Sequence, residues 1–196
     1  MKKLSLVLAC LLFFPACGGI NNIYMGEIHP IPNVDVNPMK EPIFFEIDKA
    51  VQDTFWEYPS ELKPLEFSNW RASLRNGFNS AFKEFNIVKT KDEAQLIFRI
   101  IKAKPARTLV SLTQSEVPLF PLRVTETVKT VVVSGQITYN VRLLTVQGEI
   151  LKRSTGTVNS KKRGTTKPDT NPIFASAIES MYEAIADDFF KDVPVK

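Results

Sequence analysis

The residues able to do chemistry are few and poorly grouped for it. His29 is the only histidine among 196 residues, set between Ile28 and Pro30 and far in sequence from any nucleophile. A catalytic triad or a histidine-based metal site is therefore not on offer. Carboxylate pairs occur at Asp92-Glu93 and Asp187-Asp188. The first flanks an expected turn and the second the polar side of an expected helix, so both read as solvated surface rather than as an acid and a base. No glycine-rich phosphate loop is present, since Gly18-Gly19 adjoins Cys17 and the other glycines are isolated. The one local concentration of charge is Lys161-Lys162-Arg163 with Lys167, and Lys152 and Arg153 lie just upstream. Such a cluster either is a solvated loop or offers weak, salt-sensitive donors to the phosphates of an anionic glycolipid or phospholipid. The expectation is a non-enzyme with no cofactor and no metal.

The N-terminus carries a different kind of chemistry. Met1-Lys2-Lys3 is positively charged, Leu4 to Phe14 is almost unbroken apolar residues, and small residues surround Cys17. That is the layout of a secretory signal over residues 1–16. The apolar stretch is too short for a bilayer-crossing helix, which needs roughly 20 residues. Phe14-Pro15-Ala16-Cys17 resembles the lipobox of bacterial lipoproteins, in which the thiol of the cysteine receives a diacylglycerol before cleavage. The family more often has Leu and then Ala or Ser at the positions of Phe14 and Pro15. Val7-Leu8-Ala9-Cys10 fits by letters but leaves Leu11 to Phe14 as a greasy new terminus. Ordinary cleavage after Ala16-Cys17-Gly18, which would give a soluble secreted protein with no cysteine, is the alternative. The resemblance implies lipidation at Cys17, hence a membrane contact through the N-terminal acyl chains. Cysteine usage agrees: with Cys10 removed and Cys17 acylated, no disulfide remains to form in an oxidising compartment.

Charge excludes one class of partner. The chain has 25 Lys plus Arg against 21 Asp plus Glu, and losing Lys2 and Lys3 with the signal leaves a smaller excess still. A nucleic-acid binder normally shows a dominant basic face. Hydrophobic residues at 44% and 14 Phe argue for a globular core.

Positioning elements follow from periodicity. Residues 17–42 carry Pro30, Pro32, Pro38 and Pro42 among polar residues, which suits an extended, lipidated tether; alternatively, Ile28 to Val36 packs along the domain. Ile43 to Ile47 is an apolar run that reads as a strand. Ser68 is the expected N-cap of an amphipathic helix whose stripe is Trp70, Leu74, Phe78, Ala81, Phe82 and Phe85. Ala94 to Lys104 alternates as a strand, with Leu96, Phe98 and Ile100 on one face. The signal fades from Arg107 to Leu122, where a loop bounded by Pro118 and Pro121 is expected. Val124 to Val133 and Gln136 to Val146 read as β runs, and Gln147-Gly148 as a hairpin turn into Glu149 to Asn159. Ser160 to Thr170 is expected to be a loop. Asn171-Pro172 opens a second helix with the stripe Phe174, Ala177, Ile178, Met181, Tyr182, Ile185 and Phe189. Residues 43–196 thus form one α+β domain: an antiparallel or mixed sheet with two amphipathic helices on one face.

With this order in place, Phe82 to Ile87, Ala94 to Ile100, and Ile137 to Leu143 with Gly148 to Leu151 give the region Ile43 to Val193 a look similar to small outer-membrane lipoproteins: LptE, the YajG lipoproteins and the auxiliary lipoproteins of ABC-type envelope lipid transport. The resemblance is architectural and carries over no functional residue except Cys17. It implies a non-catalytic adaptor at the outer membrane, assisting assembly or lipid and lipopolysaccharide transport through an envelope protein partner or a glycolipid. A structural or peptidoglycan-associated lipoprotein that stimulates a cell-wall synthase from a long tether is the second expectation. Gly18, in place of the Asp that holds enteric lipoproteins at the inner membrane, favours the outer membrane.

Overall fold

The computed structural model describes residues 23–58, 62, 64–119, 124–165 and 170–191. In chain order these form β1 (Ile23–Met25), β2 (Ile43–Ile47), β3 (Phe55–Glu57), β4 (Leu65–Phe67), α1 (Trp70–Ala81), β5 (Ile87–Val88), a short 3-10 turn (Lys91–Glu93), β6 (Leu96–Leu119), β7 (Val124–Thr145), β8 (Ile150–Thr165) and α2 (Thr170–Phe190). The main sheet has the order β5-β2-β6-β7-β8, and a smaller one the order β1-β4-β3. β2 runs parallel to both β5 and β6, whereas β6, β7 and β8 form an antiparallel meander. The fold is α+β with mixed sheets.

Alternation decides which face the helices cover. Ile43, Phe45 and Ile47 of β2, Phe98 and Ile100 of β6, and Ile137, Tyr139, Val141 and Leu143 of β7 are all buried on one face. Against them α1 presents Leu74 and Phe78, and α2 presents Ile178, Met181, Tyr182, Ile185 and Phe189. The interior is aromatic: Phe45 stacks on Phe78 with ring centroids 4.1 Å apart, and Phe98 meets Phe78 at 4.8 Å and Phe189 at 5.8 Å. The two helices close on each other where Gly77 faces Tyr182 and Ile178, a contact with no room for a Cβ.

The start of α1 differs from the sequence expectation. Asn69, in the left-handed conformation at φ 58°, precedes the helix instead of Ser68 and makes no side-chain cap. The capping oxygen comes from outside, as Asp53 Oδ1 accepts the Arg71 N–H at 2.8 Å. Ser68 instead donates to the Met25 carbonyl. The helix ends at Ala81, although Phe82 and Phe85 stay buried beyond it.

A stretch without clear signal and part of an expected loop are strands, while Phe120 and Pro121, in the loop expected between Pro118 and Pro121, lie outside the described residues. The stretch from Arg107 to Leu119 continues β6, and residues 160–165 continue β8. From Ser111 opposite Val132 to Leu119 opposite Val124, β6 and β7 pair only with each other among the described residues, apart from the end of β8 at Val132. They form a two-stranded ribbon that runs on past β2. The Gln147-Gly148 turn is as expected, with Gly148 at φ 91° and its N–H on the Thr145 carbonyl.

The segment read as a tether is packed from Ile23 onward. β1 pairs with β4, Ile28 is buried, and the Ile28 N–H donates to Ser73 Oγ on α1 at 2.9 Å. Asn76 Nδ2 reaches Glu27 Oε1 at 2.7 Å and the Ile28 carbonyl at 3.2 Å. Of the two arrangements the sequence allows for Ile28 to Val36, the packed one is present.

Candidate functional site

The face of the main sheet away from the helices carries an ordered set of charged and polar rows. Reading across strands, Glu46 of β2 lies opposite Arg99 of β6, Arg99 opposite Arg142 of β7, and Arg142 opposite Arg153 of β8. Strands are about 4.8 Å apart, so three guanidinium-bearing residues fall on a line roughly 10 Å long. At its end that line meets a carboxylate: Arg99 Nε donates to Glu46 Oε2 at 2.7 Å. Arg142 Nε is buried and has no hydrogen-bond partner. Like charges directly opposite one another destabilise a sheet, so the row stands at an energetic disadvantage that a bound anion would remove.

On one side of this row lies an apolar one. Phe44, Ile97, Leu144 and Ile150 are paired across the same four strands, with Ile97 and Leu144 buried. On the other side the rows are Lys102, Asn140, Thr155, then Lys104, Thr138, Thr157. The face therefore grades from apolar through a row of arginines to rows that each join one lysine to neutral polar residues.

A cleft of about 520 Å³ opens where β2 stops and leaves the edge of β6 uncovered, lined by Val51, Phe55, Ile101, Lys102, Lys104 and Asn140 among others. Its position follows from the end of β2 at Ile47, after which Asp48 turns away with its N–H on the Ile100 carbonyl. Arg71 holds that turn by donating to the carbonyls of Ile47, Asp48 and Val51. Asn140 Oδ1, facing this region, is buried without a partner. The cleft thus meets the cationic row at a pair of unsatisfied polar atoms two residues apart on β7.

The expected basic cluster is rearranged by the strand that carries it. Lys161 and Lys162 occupy a register shift in β8 between the pairs Gln136 with Asn159 and Ser134 with Arg163. Lys161 Nζ donates to Glu183 Oε2 of α2 at 2.6 Å, and this hydrogen bond and the charge of Glu183 raise the ammonium pKa above its ordinary value. Lys161 is therefore engaged within the domain, Lys162 and Arg163 are exposed on the strand, and Lys167 lies outside the described residues. The reading of Ser160 to Thr170 as a loop holding all four cations is corrected accordingly. Cys17 and residues 1–16, expected to be the acylation site and the signal, also lie outside the described residues.

Other sequence candidates fall as follows. His29 Nδ1 lies 3.1 Å from Asn76 Nδ2 on the packed N-terminal segment. Asp92 and Glu93 sit in the exposed 3-10 turn. Asp187 pairs with Lys191, and Asp188 accepts the Ser154 hydroxyl. Among the described residues, no three His, Cys, Asp or Glu side chains lie close enough together to hold a metal ion, and no helix is long and apolar enough to cross a membrane. Sequence reasoning missed the row Arg99, Arg142, Arg153. Counting outward from the Gln147-Gly148 turn places Arg142 near Arg153, but adding Arg99 needs the register of a third strand.

No protein-family model matches this chain, and no curated protein does. Among solved structures it is similar to a minor lipoprotein from Acinetobacter baumannii, with 12% identity and a TM-score of 0.40 over 76% of this chain and 90% of that one. It is also similar to a neuraminyllactose-binding hemagglutinin homolog from Helicobacter pylori, with 10% identity and a TM-score of 0.37 over 84% and 91% of the two chains. A third similar structure is a Xanthomonas campestris protein of the DUF330 family, with 13% identity and a TM-score of 0.35 over 84% and 91%.

Proposed function

We propose that this chain is a lipid-anchored envelope protein that works by binding rather than by catalysis, holding an anionic, lipid-like ligand on the helix-free face of its main sheet. The observation that carries this reading is the cationic row Arg99, Arg142, Arg153 beside an apolar row whose ends, Phe44 and Ile150, stay accessible while Ile97 and Leu144 are covered. A phosphate-bearing glycolipid has the matching division into acyl chains and anionic head. Arginine suits the anionic half because its planar fork donates two parallel hydrogen bonds to a phosphate. The long β6–β7 ribbon offers unpaired strand edges to a protein partner by strand addition. Export and acylation at Cys17 place the domain at the periplasmic face of the outer membrane, as an adaptor in outer-membrane assembly or lipid and lipopolysaccharide transport. The architectural resemblance to LptE and YajG lipoproteins is of the same tenor, as an analogy.

A cell-wall role from a long tether is less well supported. Packing of residues 23–42 against the domain removes most of the reach that role needs. The test is titration of the purified protein with a bis-phosphorylated glycolipid in detergent, against a neutral glycolipid of equal chain length. Binding of the phosphorylated ligand that Arg142→Glu with Arg153→Glu abolishes supports the reading. Equal binding of both ligands, or of both proteins, overturns it. Retention of a Cys17→Ala variant wholly in the membrane fraction would overturn the anchoring.

A further inference from the structure

The smaller sheet has two unlike faces. Its inner residues Met25, Phe67 and Phe55 are paired across β1, β4 and β3 and pack inward. Phe67 sits against Trp70 and Phe174, with ring centroids 5.0 and 5.7 Å apart. The outer row is Tyr24, Glu66, Trp56, in register across the same three strands. Tyr24 is 70% exposed, Trp56 52% and Tyr58, two residues further along, 67%. The Trp56 and Tyr58 rings are parallel to within 1° at 6.1 Å. Three large aromatic side chains on one small, otherwise well-packed sheet are not there to build the core, which lies on its other side.

Aromatic rings with a polar edge favour the layer where a bilayer meets water, because the ring leaves water while its N–H or O–H keeps a partner. What lies opposite this face follows from the length of chain in front of it. Only residues 18–22 separate Cys17 from Ile23 at the start of β1. Six Cα steps at roughly 3.3–3.6 Å each span at most about 22 Å. An acylated Cys17 sits at the headgroup layer, so β1 cannot leave its neighbourhood, and Tyr24 is the second residue of β1. So short a link also gives a high effective concentration, which makes a weak surface sufficient.

We infer that the outer face of the small sheet, Tyr24, Trp56 and Tyr58, rests on the headgroup layer of the membrane that holds Cys17, fixing the orientation of the domain; this rests on the lipid-anchor reading above. The domain is then seated on the bilayer and does not swing on a tether.

The chain has two tryptophans, and Trp70 is fully buried with its Nε1–H on the Ala103 carbonyl. Trp56 is thus the reporter. Full-length protein purified from membranes is reconstituted into phosphatidylcholine vesicles carrying brominated acyl chains, after intact mass has shown whether Cys17 bears its lipid. The expected result is quenching of the Trp56 emission, lost in Trp56→Phe, whose remaining Trp70 emission is unquenched. Lipidated protein without quenching overturns the seating and leaves the anchor standing. Absence of lipid on Cys17 overturns both. A soluble oligosaccharide that shifts the Trp56 emission where brominated lipid does not would make the face a sugar platform and overturn the proposal. Tyr24→Ser with Tyr58→Ser, both at exposed positions, should weaken the quenching with the far-ultraviolet circular dichroism unchanged.

Discussion

The phenol of Tyr182 on α2 donates to the backbone carbonyl of Leu74 on α1 at 2.6 Å, in full burial. This bond, with Gly77 against the same ring, sets how closely the two helices approach. Tyr182→Phe should lose about 1 kcal/mol of stability in urea unfolding. Gly77→Ala should lose about 1–2 kcal/mol: its Cβ would lie 2.7 Å from Tyr182 and 2.8 Å from Ile178, and overpacking outweighs the gain in helix propensity.

The same residue gives the fold an alkaline limit. Burial raises the Tyr182 pKa well above its usual 10.0. The folded state therefore binds this proton more tightly than the unfolded chain does. The resulting stability is complete below pH 10 and is lost as pH rises toward the folded value. Melting curves across pH 9 to 12 should show a decline that is shallower in Tyr182→Phe; identical slopes would remove Tyr182 as its source.

Arg107 has a fully buried side chain and is joined to Glu57 twice, by its backbone N–H at 2.9 Å and its Nε at 2.6 Å. Removing the carboxylate takes the Glu57 counter-charge from a buried cation. Glu57→Ala should therefore cost about 3 kcal/mol, and Arg107→Met less, because an apolar side chain of similar volume carries no charge to desolvate. Equal losses in denaturant titrations would contradict this account.

The packed N-terminal segment predicts a pattern in hydrogen exchange. The Ile28 amide, held by Ser73 Oγ, should be among the protected ones, and Ser73→Ala should speed its exchange by about tenfold for each 1.4 kcal/mol lost. Rapid exchange of Ile28 together with early proteolysis between 28 and 36 would return the segment to the status of a free tether.

For the arginine row, stability and binding should move in opposite directions. Arg142→Thr relieves repulsion from Arg99 and Arg153 and should raise stability by about 0.2–1 kcal/mol, while weakening the phosphoglycolipid complex. Added salt should stabilise the wild-type protein more than the variant, since screening acts on the same repulsion. A loss of stability in Arg142→Thr would make the row structural.

The elements that local pattern can specify were legible. The strand at Ile43 to Ile47, the inward face Ile137 to Leu143, the turn at Gly148 and the stripes of both helices follow from periods of 2 and 3.6 residues, which any single segment displays by itself. Of the ribbon, the β7 half at Val124 to Val133 was legible as a β run, whereas the β6 half beyond Arg107 was not. The pairing of that half is a matter of backbone hydrogen bonds between β6 and β7, and its run of Thr, Ser, Gln and Pro shows no regular alternation of apolar and polar residue types to betray a strand. Lys161 to Arg163 likewise look like a loop by composition, yet they lie on a strand because β7 pairs with Asn159 before Lys161 and Lys162 and with Arg163 after them.

By itself the sequence determined a signal-like, lipobox-like N-terminus without spare cysteines, an α+β pattern and the absence of any grouped histidine or paired nucleophile, because each of these depends on residue types at short spacing. The tertiary structure alone decided the rest. Glu46, Arg99, Arg142 and Arg153 become one row only when four strands hold a common register, and Ile28 becomes buried only when Ser73 and Asn76 stand ready on α1. The proximity of Tyr24 to Trp56 needs β4 between them, with Glu66 paired to both. These contacts join residues tens of positions apart, where the loss of chain entropy is repaid by the packing of the whole core and not by any preference a short segment carries.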